Sequence, residues 1–353
     1  MTDGDNFLPL LEAWDGDGVV IRHDAPTNTW IFIALHSSSL GRPTGGTRLR
    51  VYGGLRDAMR DAMRLAEGMT YKWAGLGMRF GGGKAVLAIS RPLDPEERCG
   101  LMWRYGELLE SLAGAFYTGA DLGTGSDDMS HVAQRTRFIL GVDPESGLAR
   151  DPGPYTATGV IAGIRSALRF ADGNEGVEGR RIVIQGLGRV GQPLARALAA
   201  QGARLMLCDI DEEKMTSLAS ELGAETLPAD RVYSEPCDVF VPCAIGGVLR
   251  PSTIANLGSR IIAGAANNQL LDEDDADRLQ KWGILYVPDY IVNAGGAMAF
   301  SLMKDGIVEE EALNDRIGAI GNVVAEILEE AKQLGATPLQ AAKRRVDLRL
   351  ARR

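Results

Sequence analysis

The sequence predicts a two-domain α/β protein, an N-terminal α/β domain followed by a doubly wound parallel sheet. Three observations lead there. The chain has 353 residues, more than one hydrophobic core usually serves. The run Asp151-Pro152-Gly153-Pro154 breaks it. Beyond that run, apolar strand-like stretches alternate with amphipathic ones at the spacing of parallel crossover units. The expected boundaries are 1–145 for the first domain, 146–325 for the second and 326–353 for a C-terminal helical segment.

In the first domain, Trp30-Ile31-Phe32-Ile33-Ala34-Leu35 has the β-branched and aromatic content of a buried strand. A loop punctuated by glycine and proline follows. Thr47-Arg48-Leu49-Arg50-Val51-Tyr52 then alternates as a half-exposed strand does. Leu55, Met59, Ala62, Met63 and Ala66 recur on one helical face. Arg56, Asp57, Arg60, Asp61 and Arg64 fill the other, with Asp57/Arg60 and Asp61/Arg64 as i,i+3 pairs. Residues 81–90 read as a tight glycine turn entering a buried strand, 95–113 as a helix, and Ala115 to Leu122 as a strand with a polar tip. The second domain reads as helices 156–170, 189–201 and 211–222 and strands 181–186, 204–209, 237–242, 260–264 and 284–287. The C-terminal stretch reads as two helices and a basic tail.

Composition narrows the chemistry. With 38 Lys+Arg against 47 Asp+Glu, the net charge is −9, which argues against a nucleic-acid footprint. No apolar run reaches the ~18 residues of a membrane span. The acidic N-terminus has an apolar run too short for a signal peptide. Cys99, Cys208, Cys237 and Cys243 form no CxxC and no disulfide framework, so a cytoplasmic protein is expected. The histidines, His23, His36 and His131, are scattered, so neither a zinc site nor a histidine-based triad is expected. Acid–base work must then fall to lysine, carboxylate or tyrosine.

Arg181-Ile-Val-Ile-Gln-Gly186-Leu187-Gly188-Arg189-Val190-Gly191 is a strand running through GxGxxG into a helix. Gly186 permits the tight turn, Gly188 lets the backbone approach a pyrophosphate, and Gly191 lets helix and strand pack closely. The helix N-terminus offers unpaired N–H groups to phosphate. Asp209 ends the next strand 23 residues after Gly186, close to the ~20 expected of an acid that binds the ribose hydroxyls. It would repel a 2′-phosphate, which favours NAD over NADP in a Rossmann-type domain. The plainer reading of the glycines is a helix-packing turn. Arg189 can assist phosphate binding or face solvent.

Only seven basic residues are lysine, and the first 213 positions hold two of them, Lys72 and Lys84. Lys72 follows Gly68-Met69-Thr70-Tyr71, and Lys84 closes Gly81-Gly82-Gly83. Burial and neighbouring cations can lower a lysine pKa towards neutrality, which arginine does not allow. Two exposed lysines would be the commonest alternative. A P-loop is excluded, since Met78 stands at its first glycine position and Ala85 follows the lysine.

Together these runs resemble a known family. Gly45-Gly46-Thr47-Arg48, GMTYK (68–72), GGGK (81–84), TGADLGT (118–124), TATGV (156–160), the Gly186 fingerprint, CDVFVPCAIGG (237–247), AGAANNQL (263–270) and PDYIVNAGG (288–296) stand in the order of the glutamate/leucine/phenylalanine/valine dehydrogenases, leucine/phenylalanine/valine branch. The resemblance implies reversible oxidative deamination of an L-amino acid to its 2-oxo acid and ammonia. It implies that Lys72, with the Gly45 and Gly46 backbone, holds the substrate carboxylate. Lys84 would be the catalytic lysine that activates water, and Asp121 would exchange protons with the amino group. Read alone, an aspartate before glycine is more often a loop cap. Thr156 and Asn268 would contact the nicotinamide, with Asn267 beside the latter; Ala244 would line the ribose region, and Asn293 would meet the substrate. The resemblance also implies a homo-oligomer, C-terminal helices that return to the first domain, and an active site in an interdomain cleft.

Substrate class follows from departures within the family pattern. Thr44 stands where glutamate enzymes carry a lysine, and Phe300 where they carry a serine, which disfavours a charged side chain. Gly119 and Ala297 are smaller than the residues of branched-chain enzymes, and Met69 is an adaptable wall. These favour phenylalanine or another aromatic substrate, with leucine or valine next. A specialised biosynthetic enzyme acting on an unusual oxo acid, and a catalytically idle sensor of NAD or amino acid, are the alternatives.

Overall fold

The β-branched run around Ile33 forms the second strand of a five-stranded sheet. The structure, a computed structural model, describes residues 7–143 and 146–351. The strands are β1 (Gly18–Asp24), β2 (Thr29–Ser37), β3 (Pro43–Thr44), β4 (Thr47–Val51) and β5 (Gly81–Ile89). Their order is β1-β2-β5-β3, with β4 also pairing β5. β2 runs antiparallel to β1 and β5, while β3 and β4 run parallel to β5. The helices of this unit are α1 (Leu8–Glu12), α2 (Leu55–Leu76), α3 (Pro95–Ser111) and α4 (Ser126–Ala133). The period-2 alternation of β2 and β5 feeds two cores. Phe32, Ala34, Val86 and Ala88 meet the Ala58, Met59, Ala62, Met63 and Ala66 face of α2. Ile31, Ile33, Ala85 and Leu87 meet Leu101, Met102, Tyr105 and Leu109 of α3. A capping box, Asp94 with Glu97, starts α3.

Several expectations change here. The glycines 81–83 are not a turn but the first residues of β5, which is buried throughout. Their lack of side chains is a packing requirement: a Cβ on Gly82 would lie 1.9 Å from Thr70 Oγ1 and 2.4 Å from the Ala66 carbonyl of α2. Helix α2 continues to Leu76, so Lys72 lies in its last turns. Residues 115–122 are not a regular strand. The segment accepts backbone hydrogen bonds from Gly45, Thr47 and Leu49 through Tyr117, Gly119 and Leu122, but Gly114 and Gly123 with φ of +86° and +82° bracket it and break regular pairing. β1 and α4 were not foreseen.

The second sheet contains β6 (Arg181–Gln185), β7 (Arg204–Cys208), β8 (Glu225–Thr226), β9 (Cys237–Pro242), β10 (Ser259–Ile262) and β11 (Leu285–Tyr286). All are parallel, in the order β11-β10-β9-β6-β7-β8. From β8 the order is third, second, first, fourth, fifth, sixth, so winding reverses between β6 and β9. That switch point is where doubly wound sheets bind ligands at the strand carboxyl ends. Helix α5 (Gly153–Asp172) begins at the proline break, and α6 (Gly191–Ala199) and α7 (Glu212–Leu222) follow β6 and β7. Then come α8 (Pro251–Ile254), α9 (Asp274–Lys281), α10 (Asp289–Val292), α11 (Gly295–Lys304), α12 (Glu310–Gly318), α13 (Ile320–Leu334) and α14 (Pro338–Leu350).

The chain divides into one unit of Met1–Asp151, Met303–Asp305 and Val346–Arg353 and another of Pro152–Leu302 and Gly306–Arg345. The expected C-terminal segment from 326 therefore groups mostly with the second unit. The reason is α13, whose Val324, Ile327, Leu328 and Ala331 are buried and whose Gly321 carbonyl accepts the Ser166 hydroxyl of α5 at 2.6 Å. Within the first unit, Arg349 donates to the Ala74 and Gly75 carbonyls at the end of α2. The last two arginines of the expected basic tail and residue 145 of the expected boundary lie outside the described residues. Among the described residues no helix is long and apolar enough to cross a membrane.

Candidate active site

Strand β5 carries Lys84 into the first unit's interior, where it is 5% exposed. Its Nζ lies 3.1 Å from Asp121 Oδ2, and the Asp121 side chain is 16% exposed. Arg48 of β4, 9% exposed, donates from Nε to the same oxygen at 3.0 Å. The other arm of Arg48 reaches Asp61 Oδ2 of α2 at 2.9 Å. Asp61 also accepts from the Tyr52 hydroxyl at 2.8 Å and from Arg64 at 2.9 Å. The loop around Asp121 is itself tied down. The Asp121 N–H donates to Thr124 Oγ1, which donates to the Thr47 carbonyl. Asp121 thus belongs to a buried ionic network as well as to a loop.

Burial alone pushes the Lys84 ammonium down, and Arg48 adds to this; Asp121 opposes them without cancelling the shift. Burial would raise the Asp121 carboxyl, but the Lys84 and Arg48 cations outweigh it and hold it at about 2. The pair therefore consists of a lysine poised to lose its proton and a carboxylate that stays charged. Sequence reasoning missed Arg48, Tyr52 and the inward role of Asp61. Arg48 was visible two residues after Gly46, but its alternation with Leu49 matched an ordinary half-exposed strand. Asp61 does pair with Arg64, as the i,i+3 spacing suggests, yet it also reaches Arg48.

Around this pair the backbone is drawn close. A Cβ on Gly45 would lie 1.9 Å from the Gly83 carbonyl and 3.0 Å from Met69 Cγ, and one on Gly46 would lie 2.9 Å from Asp121 Cβ. Gly119 has only the Leu140 carbonyl near its missing Cβ, at 3.8 Å. Met69 and Lys72 are half-buried on α2, one turn apart. The buried Thr44 hydroxyl donates to the Arg42 carbonyl at 2.9 Å, so its one donor is used within the backbone.

The second unit places the glycine fingerprint at the switch point. Gly186 has φ of +98°, and its missing Cβ would sit 2.7 Å from the Ala244 nitrogen. A Cβ on Gly191 would sit 1.9 Å from the Gly186 carbonyl, whereas Gly188 faces open space. Both closely packed glycines and the open one fit a turn that presents its backbone to a pyrophosphate. Leu187 is buried, while Arg189 is exposed and Val190 half-buried at the entrance to α6. Asp209, just past β7, accepts the Leu187 N–H at 2.5 Å and the Asp211 N–H at 2.9 Å.

In the same unit, the Thr156 hydroxyl accepts the Gly296 N–H at 3.2 Å and donates to the Pro152 carbonyl. This joins the start of α5 to the 293–296 turn. Asn293 donates to Asn267 Oδ1 at 2.7 Å and to the Ala265 carbonyl. Its own Oδ1 is buried without a protein partner. Asn268 adopts a left-handed φ of +52°, and both neighbouring asparagines, Asn267 and Asn268, are exposed. Asn267 is the asparagine joined to Asn293. Ala297 is half-buried and Phe300 buried on α11. Burial pushes the Cys237 and Cys243 thiols up to about 12, so they are packing groups rather than nucleophiles. Among the described residues no three His, Cys, Asp or Glu side chains gather as a metal site would require.

Two family models match the chain. The Glu/Leu/Phe/Val dehydrogenase dimerisation domain covers residues 23–138, and the Glutamate/Leucine/Phenylalanine/Valine dehydrogenase domain covers residues 205–345. The chain belongs to this family. Leucine dehydrogenase of Bacillus cereus is 36% identical over 346 residues, covering 98% of this chain and 93% of its own. Phenylalanine dehydrogenase of Bacillus thermotolerans is 38% identical over 351 residues, covering 98% and 91%. The crystal structure of L-tryptophan dehydrogenase from Nostoc punctiforme superposes with a TM-score of 0.81 at 34% identity, covering 98% of both chains. The protein is an amino-acid dehydrogenase, an oxidoreductase.

Proposed function

We propose that this dehydrogenase uses NAD and prefers an aromatic L-amino acid such as phenylalanine, with branched-chain substrates next. The buried contact between Lys84 and Asp121 carries the catalytic part of this reading. Lys72 and the Gly45 and Gly46 backbone hold the substrate carboxylate. Asp121, charged across the working pH range, accepts a hydrogen bond and then a proton from the substrate ammonium. When bound, a nicotinamide cofactor supplies the hydride acceptor for Cα. Lys84, as a neutral amine, takes a proton from the water that attacks the resulting iminium carbon. Collapse of the adduct, with Asp121 returning its proton to the nitrogen and the hydroxyl proton passing to solvent, expels ammonia and leaves the 2-oxo acid. Thr156, Asn268, Ala244 and the Gly186, Leu187, Gly188, Arg189, Val190 and Gly191 loop are assigned to the cofactor, and Asn293 to the substrate.

Side-chain preference is assigned to Met69, Gly119, Ala297 and Phe300. The space at Gly119 favours a ring, and the internally bonded Thr44 offers nothing to a carboxylate. One methylene in such a site is worth only ~1–3 kcal/mol, so the preference is graded. Initial rates of NADH formation across the twenty L-amino acids at alkaline pH test it. The highest kcat/KM should fall on an aromatic substrate, then leucine and valine. Glutamate as the best substrate, or turnover of none despite NAD binding, would overturn the reading.

The choice of NAD rests on Asp209, whose carboxylate at the end of β7 has acidic neighbours at Asp211, Glu212 and Glu213. A 2′-phosphate there would meet like charge. Asp209→Ala should weaken NAD binding about tenfold, the worth of a lost charged hydrogen bond, and narrow the gap to NADP. Calorimetric titration with both cofactors measures this, and an unchanged preference would remove Asp209 from the ribose site. The family's dimerisation domain supports a homo-oligomer, and the four free thiols support a reducing, cytoplasmic setting.

A further inference from the structure

The buried network contains more charge than the two catalytic groups need. Arg48 and Arg64 are permanently cationic at any working pH; Arg64, Tyr52 and Arg48 hold Asp61 as an anion, and Lys84 and Arg48 do so for Asp121. Arg64 is half exposed, whereas Arg48, Asp61 and Asp121 are largely buried. Lys84, at 5% exposure, stands among them, and burial and Arg48 both disfavour its protonation. Arg48 is the link, because one guanidinium bonds both carboxylates, Asp121 at 3.0 Å and Asp61 at 2.9 Å. Asp61, fixed in turn by Tyr52 and Arg64, keeps that guanidinium from turning away.

We propose that Arg48 is a positioning residue that supplies the permanent counter-charge of Asp121, with Asp61 holding it in place. Lys84 is thereby released from pairing duty and can stand as a neutral amine beside a carboxylate that remains ionised. The inference rests on Lys84 being the titrating base. The groups that act on Lys84 are Asp121 from the 115–122 segment's polar end, Arg48 from β4 and Asp61 from α2. Tyr52 and Arg64 act on Asp61. β2 places uncharged Ala34 opposite Lys84, and its His36 is occupied by Thr70 and Asp15. Lys72 lies further along α2, and Tyr105 of α3 is engaged with Thr47.

Two substitutions should move Lys84 in opposite directions. Arg48→Met removes a cation that disfavours its protonation, so its titration midpoint should rise by about one pH unit or more. Asp61→Asn removes an anion that favours its protonation, so the midpoint should fall. The chain has seven lysines, so the intact enzyme labelled with [13Cε]lysine gives seven signals, and Lys84→Met assigns the one sought. The midpoint is read without turnover, and the acid limb of kcat/KM for deamination is measured in parallel. Opposite shifts in both readouts support the proposal. Opposite NMR shifts with an unmoved kinetic limb keep the positioning role and remove Lys84 as the base. Unmoved midpoints, or shifts of the same sign, reduce Arg48 to a purely structural part and overturn the proposal. If Arg48→Met does not fold, Asp61→Asn decides alone: a fall supports the proposal, and any other result overturns it.

Discussion

Lys84→Ala is expected to lower kcat for deamination by roughly 10³-fold or more, the loss of a positioned general base, and to leave NAD affinity near that of the unchanged enzyme. The two halves of the expectation rest on different units. Lys84 lies on β5 of the first, whereas the glycine fingerprint and Asp209 lie in the second. The variant should also fold. Asp121 keeps Arg48 as its partner at 3.0 Å, so removing Lys84 strands no buried carboxylate, and the substitution removes a desolvated amine from the sheet. Steady-state rates with saturating amino acid, beside calorimetric titration with NAD, measure both halves. A modest fall in kcat would mean that water is activated by another group. An equal loss of NAD binding would mean that Lys84 belongs to the cofactor site.

The fold was legible wherever one period dominated. The strands around Ile33 and Ile184 and the Met59 face of α2 show unbroken apolar patterns, and the structure has them. Glycine was harder to read, because its sequence signal is the same for two opposite uses. At Gly186 it marks a positive φ of +98°; at Gly82 it marks a strand pressed against α2. Only the partner's proximity separates them, and that is a tertiary fact. α13 groups with the second unit for a related reason, whereas the chain from Val346 groups with the first. The apolar face of α13 is evident in sequence, but nothing in it says that α5 is the surface it covers.

The site shows the same limit. Lys72, Lys84 and Asp121 stand out by residue type and by ordered motifs, so they could be named at once. Arg48 and Asp61 could not, since charged residues on a strand edge and a helix face usually point to water. Their inward turn depends on the short approach between β4, α2 and the Asp121 loop, which the glycines at 45 and 46 permit. That Asn267, and not Asn268, bonds Asn293 is a contact that two identical neighbouring letters cannot reveal.

Asp121→Asn removes the negative charge while keeping the side-chain shape, and three changes should follow together. First, kcat should fall roughly 10²- to 10⁴-fold, because the substrate ammonium loses its proton acceptor. Second, the acid limb of kcat/KM should move to lower pH, since the anion that favours Lys84 protonation is gone. Third, acid stability should change. The folded carboxyl is held at about 2, below the ~3.9 of an unfolded aspartate. Its contribution to stability is thus fully present above about pH 4 and is lost as the pH falls towards 2. The Tm gap between the unchanged enzyme and Asp121→Asn should therefore be widest near neutrality and close with acid, where a protonated Asp121 resembles the amide. A gap that stays constant to pH 2.5 would mean that the carboxylate is not held by Lys84 and Arg48 in solution. A variant that keeps its kcat would leave Asp121 as a loop cap and nothing more. The acid-limb shift separates this substitution from Arg48→Met: both disturb the same oxygen, but one takes an anion from Lys84 and the other takes a cation.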